Sequence, residues 1–208
     1  MDVNKRIEEL KIVPVVVLQD ADDALPLAEA LIKGGLPLAE VTFRTEAAEE
    51  SIRRISGRFA EMLVGAGTVS SVEQAVRAVD AGAEFLVSAG FQTDIIEFAQ
   101  KKGVPVFPGV CTPTELMLLA KHGLQVAKFF PAEQYGGLKT IRALSGPFPQ
   151  MRFMPTGGIN AGNIKAYLEE PKVIACGGSW MVKDSLIREK KFDEIRRLTA
   201  EAVALVRD

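Results

Sequence analysis

The spacing of apolar and polar residues predicts short buried strands that alternate with amphipathic helices. The segments between the strands carry apolar residues at i, i+3 and i+4 and commonly end on glycine. Ser71 before Gln74, and Thr112 before Glu115, have the spacing of helix capping boxes. Eight apolar runs rich in β-branched residues are predicted strands: 12–18, 38–43, 62–67, 84–88, 104–109, 125–130, 152–156 and 173–177.

This repetition continues along the chain without a linker or low-complexity segment. It predicts an α/β fold, a (β/α)8 TIM barrel with a short N-terminal helix, as a single domain over residues 1–208. A doubly wound open sheet is the alternative that the same pattern allows. In a barrel, functional side chains lie at the carboxyl ends of the strands. Polar residues at those ends are therefore the candidates for a site.

Composition narrows the classes of function. The 208 residues are 48% hydrophobic and 25% charged, which suits a globular protein with a sizeable core. The net charge of -2 gives no electrostatic reason to expect nucleic acid as a partner. No run reaches the roughly 18 apolar residues of a membrane span, and the N-terminus lacks the apolar stretch of a secretory signal. We expect a cytoplasmic protein without a membrane partner.

Two cysteines and one histidine leave little support for a disulfide framework, a metal site or a histidine triad. Cys111 and Cys176 are interpreted as small buried residues. His122, followed by Gly123, is interpreted as a helix end. Trp180 is interpreted as a packing residue and not as a stacking platform.

Lys128 is a single cation within the apolar run Q-V-A-K-F-F. By strand alternation it shares a face with Val126 and Phe130, and we expect that face to point into the barrel. An inward lysine can attack a ketone and form a Schiff base, or it can belong to a buried Lys–Glu ion pair of no catalytic use. Burial favours the neutral amine and a nearby carboxylate favours the ammonium, and the sequence leaves this balance open.

The second run places polar residues on one face and apolar residues on the other. Glu40, Thr42 and Arg44 alternate with Val41 and Phe43. If the apolar pair packs on helices, the three polar side chains enter the barrel, with Arg44 nearest the carboxyl end. A carboxylate close to an inward lysine can move the protons that Schiff-base chemistry requires. The alternative for Arg44 is a surface position in the following loop.

The ends of three other runs add hydroxyl groups and glycines. Thr68 ends the third run and Thr156 ends the seventh. Glycine pairs follow the seventh and eighth runs, in P-T-G-G-I and C-G-G-S-W. Glycines let backbone N–H groups approach an anion, and the loops after strands 7 and 8 form the usual phosphate site of such barrels. Any tight turn can also require paired glycines.

Five motifs, E-V-T-F-R-T-E, V-G-A-G-T-V, K-F-F-P-A-E, P-T-G-G-I and G-G-S-W, occur in this order over almost the whole chain. Together they resemble the family of 2-keto-3-deoxy-6-phosphogluconate (KDPG) and 4-hydroxy-2-oxoglutarate (KHG) aldolases. The resemblance implies a TIM-barrel class I aldolase that uses no metal or cofactor and is usually a homotrimer. The implied reaction is reversible cleavage of KDPG, a small-molecule 2-oxo acid, to pyruvate and glyceraldehyde 3-phosphate.

The resemblance also implies a role for each matching residue. Lys128 would be the Schiff-base lysine and Glu40 the general acid/base, with Phe130 as a wall of the site. The pyruvate carboxylate would be held by Arg44, Thr68 and Thr156. The phosphate would be held by Gly157, Gly158, Gly178 and Ser179.

Two positions depart from the family pattern. The loop after the fourth run reads V-S-A-G, with Ala89 where many members have proline, and Leu18 and Gln19 follow the first run where some members carry arginine. These departures leave open an aldolase that prefers 4-hydroxy-2-oxoglutarate or the galactonate epimer of KDPG. A phosphate-binding barrel isomerase or epimerase is an alternative of another class, and a noncatalytic trimeric scaffold is a third.

Overall fold

The computed structural model describes residues 2–207, so Met1 and Asp208, the ends of the predicted domain, lie outside the described residues. The strands are β1 (Ile12–Val16), β2 (Leu38–Thr42), β3 (Leu63–Gly67), β4 (Leu86–Val87), β5 (Val106–Phe107), β6 (Gly109–Val110), β7 (Val126–Phe129), β8 (Arg152–Pro155) and β9 (Cys176–Gly178). The helices are α1 (Val3–Leu10), α2 (Ala24–Lys33), α3 (Ala48–Arg58), α4 (Val72–Asp80), α5 (Thr93–Lys102), α6 (Pro113–Lys121), α7 (Gly137–Ser145), α8 (Ile164–Leu168), α9 (Asp184–Arg188) and α10 (Phe192–Arg207).

The strands form a six-stranded sheet in the order β5-β4-β3-β2-β1-β9 and a three-stranded sheet in the order β6-β7-β8. Every ladder within residues 2–207 is parallel. Isolated parallel bridges join Phe153 to Val173 and Thr156 to Gly177, between β8 and the β9 segment. The predicted parallel α/β class and the N-terminal helix α1 are confirmed.

Pro108 divides the fifth predicted strand into β5 and β6. Proline has no N–H to donate, which interrupts a sheet ladder. The Pro108 carbonyl still accepts a hydrogen bond from the backbone N–H of Lys128 at 3.0 Å. As a result β5 pairs with β4 on one side, whereas β6 pairs with β7 on the other.

Side-chain caps fix where two of the helices begin. Thr112 and Glu115 form the complete predicted capping box at the start of α6. At α4 the hydroxyl of Ser71 accepts from the N–H of Gln74 at 3.2 Å. The Gln74 side chain accepts from the N–H of Ser70 and not from Ser71, so this second box is only half formed.

The cysteines, the histidine and the tryptophan occupy structural positions. Cys176 is buried, as predicted, and burial raises the pKa of its thiol; Cys111 is only half-buried. His122 follows α6 directly and Gly123 has a φ of 72°, which confirms the predicted helix end. Trp180 packs against the core, also as predicted. None of the helices within residues 2–207 is long and apolar enough to cross a membrane.

Candidate active site

Lys128 on β7 and Glu40 on β2 meet between the two sheets. The Lys128 Nζ lies 3.4 Å from Glu40 Oε1, and the two residues are 3% and 0% exposed. Because they belong to different sheets, the contact requires their side chains to face one another across the interior. The inward orientation predicted for both residues is therefore confirmed.

An aromatic ring lies beside the lysine of this pair, and one carboxylate oxygen of the glutamate lacks a hydrogen-bond partner in the described residues. The Lys128 Nζ lies 5.2 Å from the ring centroid of Phe130, within the range of a cation–π contact. The second carboxylate oxygen of Glu40, Oε2, is buried without a hydrogen-bond partner among residues 2–207. A buried unpaired oxygen of this kind is costly. It is available to accept a proton or a hydrogen bond from a ligand.

Gly67 makes room for the Glu40 side chain. Gly67 ends β3 and pairs with Thr42 on β2. A methyl group on its Cα would lie 2.6 Å from Cγ of Glu40 and nearer still to Oε1. The V-G-A-G motif therefore keeps open the space in which the carboxylate lies. Thr42 itself anchors β2, because its hydroxyl donates to the Val16 carbonyl at 2.8 Å.

Arg44 and Thr68 meet at the carboxyl ends of β2 and β3. The Arg44 Nε donates to Thr68 Oγ1 at 3.2 Å, and Arg44 is otherwise exposed. Thr68 has a φ of 55°, a left-handed conformation that β-branched residues seldom adopt. Strained residues of this kind cluster at functional sites. Arg44 thus combines both predicted positions, a loop after the strand and a contact within the site.

Thr156 lies directly after β8 with an unused hydroxyl. Its Oγ1 is buried and has no hydrogen-bond partner in the described part of the chain. The neighbouring Gly177 permits this position, because a methyl group there would lie 3.0 Å from Thr156 Cγ2 and nearer to Oγ1. A donor held in this way can serve an anionic ligand.

A cavity of ≈ 230 Å³ joins most of the predicted site residues. It lies at the carboxyl ends of the strands, where barrel enzymes have their active sites. Lys128 and Glu40 are not in its lining, but Phe130, which lines it, also contacts the Lys128 Nζ. Seven predicted site residues line the cavity: Arg44, Phe130, Thr156, Gly157, Gly158, Gly178 and Ser179.

The glycine turn after β8 needs a conformation that other residues adopt poorly. Gly157 and Gly158 have φ values of 102° and 79°. The Gly158 carbonyl accepts from the side-chain amides of Asn160 and Asn163 at 3.1 and 3.0 Å. These bonds hold the turn at the edge of the cavity from its outer side.

The structure accommodates both departures from the family pattern. Ala89 is exposed, and the hydroxyl of Ser88 donates to the Gly90 carbonyl at 2.7 Å, which closes the V-S-A-G turn without proline. Leu18 is fully buried, and its carbonyl accepts from the hydroxyl of Thr45. Gln19 is exposed.

Several residues that line the cavity are not among the predicted site residues, including Val15, Val17 and Asp184. Val15 and Val17 alternate along the first run and line the cavity, so strand parity could have identified them. Asp184 also lines it, and its Oδ1 is buried without a partner in residues 2–207. Asp184 is the first residue of the short helix α9, and no periodic signal in the sequence marks it. Within the described residues, no group of three or more His, Cys, Asp or Glu side chains is arranged to hold a metal ion.

A larger cavity, of ≈ 380 Å³, lies beneath α1 and contains none of the predicted site residues. Its lining includes Lys5, Glu8 and Arg152, and the last two form an ion pair. Arg152 begins β8, so this cavity lies toward the amino ends of the strands, the face that serves stability in barrels. The smaller cavity is therefore the candidate site.

Comparison with known proteins identifies the family of the chain. A family model of KDPG and KHG aldolases matches residues 3–198. A 2-dehydro-3-deoxy-phosphogluconate aldolase of Haemophilus influenzae is 45% identical over 98% of this chain and 96% of its own length. A KHG/KDPG aldolase of Escherichia coli is 43% identical over 92% of this chain and 90% of its own. The structure of a KDPG aldolase from Legionella pneumophila, with pyruvate captured as a covalent carbinolamine intermediate, has a TM-score of 0.93 at 39% identity and covers 97% of this chain and 98% of that one. The chain belongs to the KDPG and KHG aldolase family.

Proposed function

We propose that the protein is a lyase, a class I aldolase that reversibly cleaves 2-dehydro-3-deoxy-6-phosphogluconate to pyruvate and glyceraldehyde 3-phosphate. The observation that carries this proposal is the buried contact between Lys128 and Glu40, 3.4 Å apart, beneath a cavity at the carboxyl ends of the strands. The named relatives from Haemophilus influenzae and Escherichia coli support the substrate class. The captured carbinolamine in the Legionella pneumophila enzyme supports covalent chemistry.

The chemistry assigns separate tasks to the two side chains. The neutral amine of Lys128 attacks the C2 ketone, and the carbinolamine loses water to become a protonated Schiff base. Glu40 takes the proton from the C4 hydroxyl as the C3–C4 bond breaks, and the electron pair passes to the Schiff-base nitrogen as an enamine. Glu40 then returns the proton to C3 of the enamine, and hydrolysis of the resulting Schiff base releases pyruvate and restores the lysine.

The two ends of the substrate have different binding groups. Arg44, Thr68 and Thr156 bind the carboxylate of the pyruvate half through a guanidinium and two hydroxyls. The phosphate binds between the two glycine loops, at Gly157, Gly158, Gly178 and Ser179. The support is that all of these residues except Thr68 line one cavity, and that Thr68 contacts Arg44.

The proposal includes a closed eight-stranded barrel that forms one domain over residues 1–208. Its support is that only Pro108 separates β5 from β6, and that two isolated bridges connect β8 with the β9 segment. The homotrimer remains a prediction from the resemblance, and the cytoplasmic location remains a prediction from the sequence. Met117 and Leu118 on α6 are exposed and supply apolar surface that suits an assembly.

The substrate choice is the part of the proposal with a close competitor. The distal end of 4-hydroxy-2-oxoglutarate is a carboxylate, which the glycine loops can also receive, and the Escherichia coli relative carries both substrate names. The galactonate epimer differs only in the configuration at C4. A barrel isomerase or epimerase would share a phosphate site but has no need for a buried lysine nucleophile beside Glu40.

Trapping with borohydride tests the reaction class. We expect incubation with pyruvate and borohydride to add a reduced pyruvyl group to Lys128, located by mass spectrometry of peptides. Omission of either reagent is the control. Labelling at another lysine with cleavage activity intact, or no adduct at all, would contradict the aldolase and favour the isomerase or scaffold alternatives. Cleavage rates on KDPG, its epimer and 4-hydroxy-2-oxoglutarate then rank the substrates.

The space at Gly67 gives a second test. Gly67→Ala forces the Glu40 side chain to move, and overpacking of this kind costs about 1–3 kcal/mol of unfolding free energy. Misplacement of a proton-transfer group by about 1 Å lowers the cleavage rate roughly 10²-fold. We expect both losses, measured by thermal unfolding and by the rate per folded molecule.

Gly34→Ala is the matched control, because its added methyl would lie 2.6 Å from Cβ of Thr199 on α10, a residue outside the cavity lining. It should lower stability similarly while the folded enzyme keeps its rate. Equal rate losses in both variants would contradict the role given to Glu40.

A further inference from the structure

The chain that follows the proposed Schiff-base lysine is bonded directly to the glycine turn after β8. The backbone N–H of Ala132 donates to the Thr156 carbonyl at 2.8 Å, and that of Glu133 donates to the Gly157 carbonyl at 3.2 Å. Lys128 lies five residues before Glu133 in the same segment. The turn and the lysine are thus parts of one connected structure.

The side chain of Glu133 lies over Gly158. A methyl group at Gly158 would lie 2.5 Å from Cγ and 2.7 Å from Cβ of Glu133. Glu133 is itself exposed and is absent from the lining of the cavity. It therefore contacts the turn on the side away from the ligand space.

A buried phenol holds the carboxylate of Glu133 in this position. The hydroxyl of Tyr167, on α8, donates to Glu133 Oε1, and Tyr167 is only 2% exposed. Burial, followed by the hydrogen bond with Glu133, raises the pKa of Tyr167, so the phenol keeps the proton that it donates. The buried hydroxyl of Tyr167 needs a hydrogen-bond partner. This need offsets the rotamer freedom that the exposed Glu133 side chain loses when it is fixed.

The turn is therefore held from two directions. Asn160 and Asn163 bind the Gly158 carbonyl, and Glu133 covers its Cα. We propose that the Glu133–Tyr167 pair is a positioning device that fixes the Gly157–Gly158 turn for the phosphate of the substrate. This inference rests on the proposed function and concerns the phosphate end alone. Neither side chain lines the cavity.

Two measurements distinguish binding of the substrate phosphate from the reaction at Lys128: KM for KDPG and the rate of pyruvate trapping. Tyr167→Phe removes only the donor, and the loss of one hydrogen bond to a charged group corresponds to about a tenfold change in affinity. We expect KM for KDPG to rise about tenfold. Pyruvate lacks the phosphate that the turn is proposed to bind, so the rate of its borohydride trapping on Lys128 should be unchanged. Glu133→Gln keeps an acceptor oxygen and should retain most of the affinity that Glu133→Ala loses.

Tyr135→Phe is the matched control, since Tyr135 is the other of the two tyrosines and is 52% exposed. Unchanged KM in Tyr167→Phe, or equal losses of KDPG cleavage and pyruvate trapping, would overturn the positioning role. A wild-type protein that neither traps pyruvate nor cleaves KDPG would overturn the proposed function, and the inference with it. If the wild-type protein traps pyruvate and cleaves KDPG, the proposed function stands, and the KM of Tyr167→Phe then tests the inference by itself.

Discussion

Replacement of Lys128 by methionine is expected to abolish pyruvate trapping and to lower the cleavage rate by roughly 10⁴-fold or more, the scale on which loss of a covalent nucleophile acts. Methionine fills a similar volume without an amine. The substitution also leaves the buried Glu40 carboxylate without its 3.4 Å partner. Breaking a buried ion pair in this way costs about 3–5 kcal/mol, so the rate must be expressed per folded molecule, with the folded fraction taken from thermal unfolding.

A second variant separates the nucleophile from the ion pair. Lys128→Arg keeps a cation opposite Glu40, but a guanidinium does not lose its proton and cannot form the Schiff base. If Lys128 is the nucleophile, arginine restores part of the stability that methionine loses and none of the activity. If the pair is structural, arginine restores both. Cleavage that survives in either variant at the wild-type rate per folded molecule would contradict the mechanism.

Alternation along single strands is enough to predict which polar side chains face the interior. Parity places Lys128 and Glu40 each on an interior face, and the structure brings them together from different sheets. Parity works here because adjacent side chains of a strand point to opposite faces. It also explains why Phe43, on the other face of the second run, lies outside the cavity and packs near Arg77.

Other features have no signal in the hydrophobic pattern. Pro108 divides a run that looks continuous by hydrophobicity, and its signal is the residue type, because proline lacks the N–H that a continuous ladder requires. The left-handed φ of Thr68 has no signal in its residue type. Glu133 and Tyr167 are 34 residues apart, and only the position of α8 brings them together.

The substitution Glu40→Gln is expected to lower the cleavage rate by about 10²–10⁴-fold, the usual contribution of general acid–base catalysis. The amide keeps the shape of the side chain and an oxygen acceptor for Lys128, but it does not transfer a proton. Glu40 Oε2 is one of several buried side-chain oxygens without a partner in residues 2–207, and its capacity to accept a proton is what the variant removes. The substitution also removes the carboxylate partner of the buried Lys128 side chain, so it should lower stability as well, and the rate must again be expressed per folded molecule.

Exchange of the pyruvate methyl protons with deuterium isolates this step, because exchange requires the enamine but no phosphorylated substrate. NMR should show slow exchange in Glu40→Gln and wild-type exchange in Glu46→Gln, a matched change at an exposed glutamate that follows the same strand. Borohydride trapping on Lys128 should still occur, at a lower rate, because the nucleophile is intact. Fast exchange in Glu40→Gln would assign the proton transfers to another group, and the unpartnered Thr156 hydroxyl would then be the first to replace, by valine.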